Sequence, residues 1–254
     1  MLEVCDVTKR YGALTAVSHV SFTVKPGEVL GYLGPNGSGK STTVKMLTGL
    51  MPPTAGRILF DGADIQEDLV AHKARVGYVP EEAHVYTYLT GPEYLRLCGR
   101  LRGVPAVALE QKIDRFLHLF GLDVDYHATL SSFSKGMRQK ILLSAALLHN
   151  PTIVILDEPC SGLDVGATLI IRSLIQKLAA SGRIVIYSSH ELEMVERVCS
   201  EVLILREGRV AAHAATAVLR EQVNAASLED AFRTLVFTTD TDAVAGEILT
   251  AISH

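Results

Sequence analysis

A chain of 254 residues is long enough to bury a full core, and one large unit is its default organisation. A formal charge of −4 argues against unspecific binding to nucleic acid. The four cysteines, Cys5, Cys98, Cys160 and Cys199, form no CxxC pair, so neither a zinc site nor a disulfide framework is expected and a reducing cytosol fits. Met1-Leu2-Glu3-Val4 has no basic or apolar leader character. No apolar run approaches a membrane span, Ile141 to Leu148 being among the longest, so a membrane role needs another chain to supply the span.

In chain order, Lys9-Arg10-Tyr11-Gly12 sets an aromatic before a glycine. Val20, Phe22 and Val24 alternate with polar neighbours, as in a strand with one wet face. Val29-Leu30-Gly31-Tyr32-Leu33 is an apolar run bounded by Pro26-Gly27 and Gly34, which reads as a buried strand. A glycine-rich loop follows, and a helix is expected from Thr42 onward. Ile58-Leu59-Phe60 before Asp61-Gly62 signals a hairpin, and Val76 to Val79 another strand. Residues from about Thr90 to Asn150 read as helices. Thr90-Gly91-Pro92-Glu93 forms a capping box, and Ile113, Phe116, Leu117 and Phe120 keep helical spacing. From Pro151, strand and helix alternate: Ile153–Leu156, Val165–Ala180, Ile184–Tyr187, Leu192–Cys199 and Val202–Leu205. Glu207-Gly208-Arg209 is a tight turn, and the tail from Ala225 reads as helical. This pattern predicts an α/β parallel-sheet core with a strand-rich N-terminal part and a helical insertion between two strands.

The loop Gly34-Pro35-Asn36-Gly37-Ser38-Gly39-Lys40-Ser41 has the composition of a phosphate cradle. Its glycines let successive N–H groups converge on phosphate oxygens. Lys40 can reach the β- and γ-phosphates, the Ser41 hydroxyl can ligate Mg²⁺, and the helix N-terminus from Thr42 adds a favourable dipole. Asp157 and Glu158 end a run of four apolar residues: Asp157 is placed to hold Mg²⁺ and Glu158 to polarise the attacking water. His190 closes another strand end, at reach of the γ-phosphate. Tyr11 suits either the core or stacking on adenine. Asp164, in Ser161-Gly162-Leu163-Asp164, suits a helix cap.

These residues resemble the nucleotide-binding subunit of ATP-binding-cassette (ABC) transporters, from about Leu2 to Leu219. Tyr11 matches the adenine-stacking position, Gly34 to Ser41 the Walker A motif, Ile153 to Glu158 the Walker B strand with its catalytic Glu, Ser161 to Asp164 the loop at the dimer interface, and His190 the switch histidine. The resemblance implies the P-loop NTPase (RecA-like) fold with an antiparallel β subdomain and an inserted helical subdomain. It implies ATP and Mg²⁺ as ligands. The signature, usually Leu-Ser-Gly-Gly-Gln, reads Phe133-Ser134-Lys135-Gly136-Met137 here, with Arg138-Gln139-Lys140 opening the next helix. Ser134 and Gly136 are implied to close over the ATP held by Lys40 of a second subunit, in a homo- or heterodimer. Glu81 stands where Gln is usual; a carboxylate can still approach Mg²⁺ but cannot donate as an amide does. Both departures, and Ser227-Leu228-Glu229-Asp230-Ala231-Phe232, resemble the ABC-2 type export branch.

The resemblance further implies a separately encoded transmembrane permease subunit, a peripheral location on the cytoplasmic membrane face, and no nucleic-acid partner. The expected division is an ATPase domain over residues 1–223, with its helical subdomain at about 85–150, and a mostly helical extension over 224–254. Val85, Tyr86, Tyr88 and Leu89 either pack inside the insertion or remain exposed as an apolar patch for that permease. Two rival functions differ in class. One is a soluble ABC ATPase acting on nucleic acid or ribosomes, disfavoured by the acidic balance and the single cassette. The other is an ATP-binding regulatory module without turnover, disfavoured by intact Glu158 and His190.

Overall fold

The computed structural model describes residues 1–82, 84–222, 225–236 and 241–252. Two sheets lie at its centre. The first is antiparallel, in the order β2-β1-β4-β5, from β1 (Leu2–Tyr11), β2 (Leu14–Val24), β4 (Ala55–Phe60) and β5 (Ala63–Asp64). The expected hairpin at Asp61-Gly62 is the β4–β5 connection, with Phe60 opposite Ala63. The second sheet has the order β10-β9-β3-β8-β7-β6. Its strands β3 (Val29–Leu33), β6 (Val76–Val79), β7 (Ile153–Asp157), β8 (Ile184–Ser188) and β9 (Glu201–Arg206) run parallel, and β10 (Arg209–Ala215) returns antiparallel along the edge.

The parallel strands are continuous apolar runs because both their faces are covered. Leu30 and Tyr32 of β3, Ile153 and Ile155 of β7, and Ile184 and Ile186 of β8 face the antiparallel sheet and α1 (Lys40–Leu47). Their neighbours Val29, Leu33, Val154, Leu156, Val185 and Tyr187 face α5 (Lys135–Leu147), α6 (Val165–Ala180) and α7 (Leu192–Val198). Short α2 (Leu69–Arg75) leads into β6.

Between β6 and β7 the chain makes α3 (Gly91–Leu101), α4 (Ala106–Leu119) and α5, which share a core of Leu95, Leu109, Ile113, Leu117 and Ile141. The Thr90 capping box is complete: Thr90 Oγ1 accepts from the Glu93 amide and the Glu93 carboxylate accepts from the Thr90 amide. After β10 come α8 (Thr216–Gln222), α9 (Leu228–Val236) and α10 (Thr241–Ile252). Leu219, Leu228 and Val236 join the core beneath α7. The expected boundary at 223/224 lies outside the described residues.

Two helices begin earlier than their composition suggests. α1 starts at Lys40, not Thr42, because Gly39 takes φ +102° and turns the chain directly into the helix. α5 starts at Lys135, not Arg138, because Ser134 caps it, its hydroxyl accepting from the Met137 amide at 3.2 Å. The β9–β10 turn joins the two sheets: the Ser18 amide donates to the Gly208 carbonyl at 2.7 Å, and the Gly208 amide to the Ser38 carbonyl at 3.0 Å. Among the described residues, no helix is long and apolar enough to cross a membrane.

Candidate functional site

The carboxyl ends of four parallel strands open on one side of the sheet, where ligands bind in such folds. β3 delivers the Gly34–Ser41 loop, β6 leads toward Glu81, β7 ends in Asp157 with Glu158 next, and β8 leads through Ser188 and Ser189 to His190. Asp157 lies opposite Ser188 in register, which brings the two strand ends level. A cavity of about 310 Å³ gathers Tyr11, Asn36, Gly37, Gly39, Lys40, Ser41, Thr42, Glu81, Asp157, Glu158 and His190. Gly34 and Pro35 do not line it, but their carbonyls accept from Lys40.

The loop is prefolded. The Lys40 ammonium donates to the Gly34 carbonyl and, at 3.1 Å, to the Pro35 carbonyl. Because α1 begins at Lys40, the amides of Lys40, Ser41 and Thr42 belong to the helix's first turn, which has no intrahelical acceptors. Thr43 is the first to bond back, to the Gly39 carbonyl at 2.9 Å. Gly39 admits no other residue: a Cβ there would lie 2.5 Å from the Ala16 carbonyl oxygen, at a left-handed φ. Ser38 is 2% exposed and its hydroxyl has no protein partner. Free amides, an unpaired buried hydroxyl and a cation folded onto carbonyls together fit a polyphosphate.

Electrostatics follow from burial. Desolvation lowers the Lys40 pKa, opposed by Asp157, Glu158 and Glu81. Desolvation raises Asp157, opposed first by the Ser188 hydroxyl, and raises Glu158, opposed first by His190. His190 Nε2 stands 3.5 Å from Glu158 Oε1, while the Ser189 hydroxyl donates to Glu158 Oε2 at 3.4 Å. Glu158 has φ +49°, an uncommon conformation for a residue with a side chain. Its amide is tied to the Ser188 carbonyl at 3.0 Å, which fixes that conformation.

For a metal, the oxygen donors expected from the sequence, the Ser41 hydroxyl and the Asp157 and Glu81 carboxylates, all line the cavity, beside Glu158 and His190. Among the described residues, no group of three or more His, Cys, Asp or Glu could hold an ion by itself. This all-oxygen but incomplete set suits Mg²⁺, which keeps waters and takes phosphate oxygens from its nucleotide.

Tyr11 is not core. It is 45% exposed at the cavity rim, its hydroxyl on Met51 Sδ at 3.1 Å and the Lys9 ammonium 5.7 Å from its ring centroid. Asp164 caps α6, accepting from the Ala167 amide at 2.8 Å. Ser134 and Gly136 do not line the cavity. Gly136 lies instead against the chain's own 161–164 loop, where Lys135 Nζ donates to Ser161 Oγ at 2.6 Å. A Cβ on Gly136 would come within 2.5 Å of the Gly162 carbonyl oxygen. Sequence reasoning passed over Ser188 and Ser189, although both immediately precede His190 in the strand end already singled out. Leu14 and Ala16 also line the rim, and no motif marks them.

The loop, the paired strand-end carboxylates and the sheet order define a P-loop NTPase. The family model described as ABC transporter matches residues 17–161. The linearmycin resistance ATP-binding protein LnrL of Bacillus subtilis is 36% identical over 212 residues, covering 84% of this chain and 68% of that protein. A Nod factor export ATP-binding protein I of Paraburkholderia xenovorans is 36% identical over 218 residues, covering 86% and 72%. A solved ATP-binding subunit of an ABC transporter superposes with a TM-score of 0.87 at 34% identity, covering 92% of this chain and 99% of that one. The chain therefore belongs to the ABC transporter family, as one of its ATP-binding ATPase subunits.

Proposed function

We propose that this chain hydrolyses Mg-ATP at the interface of a homo- or heterodimer and thereby drives a separately encoded membrane-spanning partner, in export. The observation that carries the reading is one cavity holding Lys40, Ser41, Glu81, Asp157, Glu158 and His190 but neither Ser134 nor Gly136. Most of the expected nucleotide contacts are thus gathered in one place while Ser134 and Gly136 lie apart from it, as a site completed by a second subunit requires. The relatives' names, a resistance protein and a Nod factor export protein, support the export direction.

In this reading the amides from Gly34 to Thr42 and the Lys40 ammonium bind the phosphates, and Tyr11 stacks on the base. Ser41, Asp157 and Glu81 would hold Mg²⁺, which supplies charge neutralisation at the phosphates. Glu158 takes the proton of the attacking water; its raised pKa makes it a stronger base than an ordinary carboxylate. His190 orients Glu158 and the terminal phosphate. The Ser134 hydroxyl and the α5 N-terminus of the second subunit close the opposite side. Residues 1–223 form the ATPase unit and 224–254 an extension. The assembly sits on the cytoplasmic membrane face through its partner, without nucleic acid.

Glu158→Gln tests the reading. Turnover should fall by roughly 10²–10⁴-fold, the usual worth of a general base, while ATP binding persists. Light scattering should then find an ATP-dependent dimer. Near-normal hydrolysis by this variant would overturn the assignment.

A further inference from the structure

α7 is short, and it carries His190 on its N-terminal side through Glu191, whose carbonyl accepts from the Met194 amide at 2.9 Å and the Val195 amide at 3.2 Å. On the open side of this loop, His190, Leu192, Arg197 and Glu229 line a cavity of about 540 Å³, so nothing packs the imidazole from there. His190 is therefore held between the end of β8 and the start of α7, and a shift of α7 moves it.

Beneath α7, Met194, Val195 and Val198 share a core with Leu228 and Val236 of α9. One polar group completes this seat. The Glu196 carboxylate accepts from Arg220 Nη1 of α8 at 2.7 Å through one oxygen and from the Leu228 amide, the first of α9, at 3.3 Å through the other. A carboxylate at a helix N-terminus meets both an unpaired amide and a favourable dipole. Ser227 holds that terminus in shape, its hydroxyl accepting from the Asp230 amide at 3.1 Å. The Ser227–Phe232 segment thus has a physical task that its sequence did not disclose.

We propose that Glu196 is a positioning residue: by clamping α8 and α9 onto α7 it sets the reach of His190 toward Glu158, so the C-terminal segment 225–236 governs turnover. The inference rests on the reading that His190 serves hydrolysis. A clamp of this kind acts on the chemical step more than on ATP capture, because no α7 residue lines the cavity around the Gly34–Ser41 loop.

The test is a double-mutant cycle on the full chain with Glu196→Ala, His190→Ala and both together, assayed for ATP turnover and for binding of a fluorescent ATP analogue. Glu196→Ala should lower kcat about tenfold, equivalent to about 1.4 kcal/mol in barrier, with analogue affinity kept within about twofold. Added to His190→Ala it should change kcat by less than about twofold, since an absent imidazole cannot be mispositioned. Additive losses would overturn the inference. If Glu196→Ala fails to fold, the same cycle with Arg220→Ala decides it by the same criterion. Near-normal turnover by His190→Ala would overturn the underlying reading, whereas a deficient His190→Ala beside an unaffected Glu196→Ala would overturn this inference alone.

Discussion

Glu158 combines a left-handed backbone, a mostly buried carboxylate and a raised pKa, each of which works against the folded state. The sign is set by the protonated form. With its folded pKa above the unfolded one, Glu158 contributes stability only below the ordinary carboxylate range, and loses it as pH rises through the folded value. At pH 8 the ionised group therefore costs stability, and Glu158→Gln should raise Tm by about 2–4 °C, as about 1 kcal/mol does in a chain of this size. At pH 4 the two proteins should melt together. Equal melting temperatures at both pH values would show that Glu158 is not destabilised by its surroundings. That Asp157 and Glu158 end a buried strand at the cavity was legible from two carboxylates after four apolar residues. The strain at Glu158 was not, because it arises from its amide bonding to Ser188 across the sheet, a contact between residues distant in sequence.

At the level of elements, the Ser134–Gly136 turn and the 161–164 loop pack as one piece. Gly136→Ala would drive a methyl group toward the Gly162 carbonyl oxygen, so backbone must move. The expected cost is about 1–3 kcal/mol of stability, as for overpacking elsewhere, read by denaturant melting. A silent substitution would mean that the loop gives way freely. A substitution at Gly136 therefore disturbs the chain's own loop before it reaches any second subunit, and a dimer defect in such a variant has two sources. β3, β6 and α6 were legible to the residue, since apolar runs between turn signals and an Asp cap mark both their ends. The starts of α1 and α5 were not. The first depends on a glycine taking a left-handed conformation, and the second on a serine hydroxyl turned onto its own helix. The strand β1 carries bulges, with Asp6 at φ +52° and irregular pairing to β2, which blur the alternation that reveals a strand. α2 is a single short helix with too few residues to show a period.

Across the whole molecule, the aromatic segment after Glu81 resolves into two parts. Val85 packs against the core, whereas Tyr86 and Tyr88 are 54% and 73% exposed with ring centroids 5.9 Å apart, and Tyr86 also meets Tyr94 edge-on. An exposed aromatic pair a few residues after Glu81 of the cavity suits a surface that a partner covers. Tyr86→Glu should keep the fold and the ATPase activity of the isolated chain but abolish co-purification of the proposed membrane-spanning partner. Undiminished co-purification would remove Tyr86 from that contact. The parallel sheet was legible from alternating strands and helices after Pro151, and the separate antiparallel sheet only through the family resemblance. How the sheets join was not, because the junction consists of backbone hydrogen bonds that leave no mark on residue type.

That junction, the Gly208 turn bonded to Ser18 on one side and to the carbonyl of Ser38 on the other, bears on how the protein can be engineered. By composition Glu207-Gly208-Arg209 resembles an ordinary hairpin tip, the sort of place chosen for an affinity tag or a circular permutation. Here a graft would disturb the bonds that hold the antiparallel sheet carrying Tyr11 to the loop carrying Lys40, and so the shape of the cavity that both line. The turn at Gly103, where a Cβ meets nothing within 4 Å, is the better site for a graft.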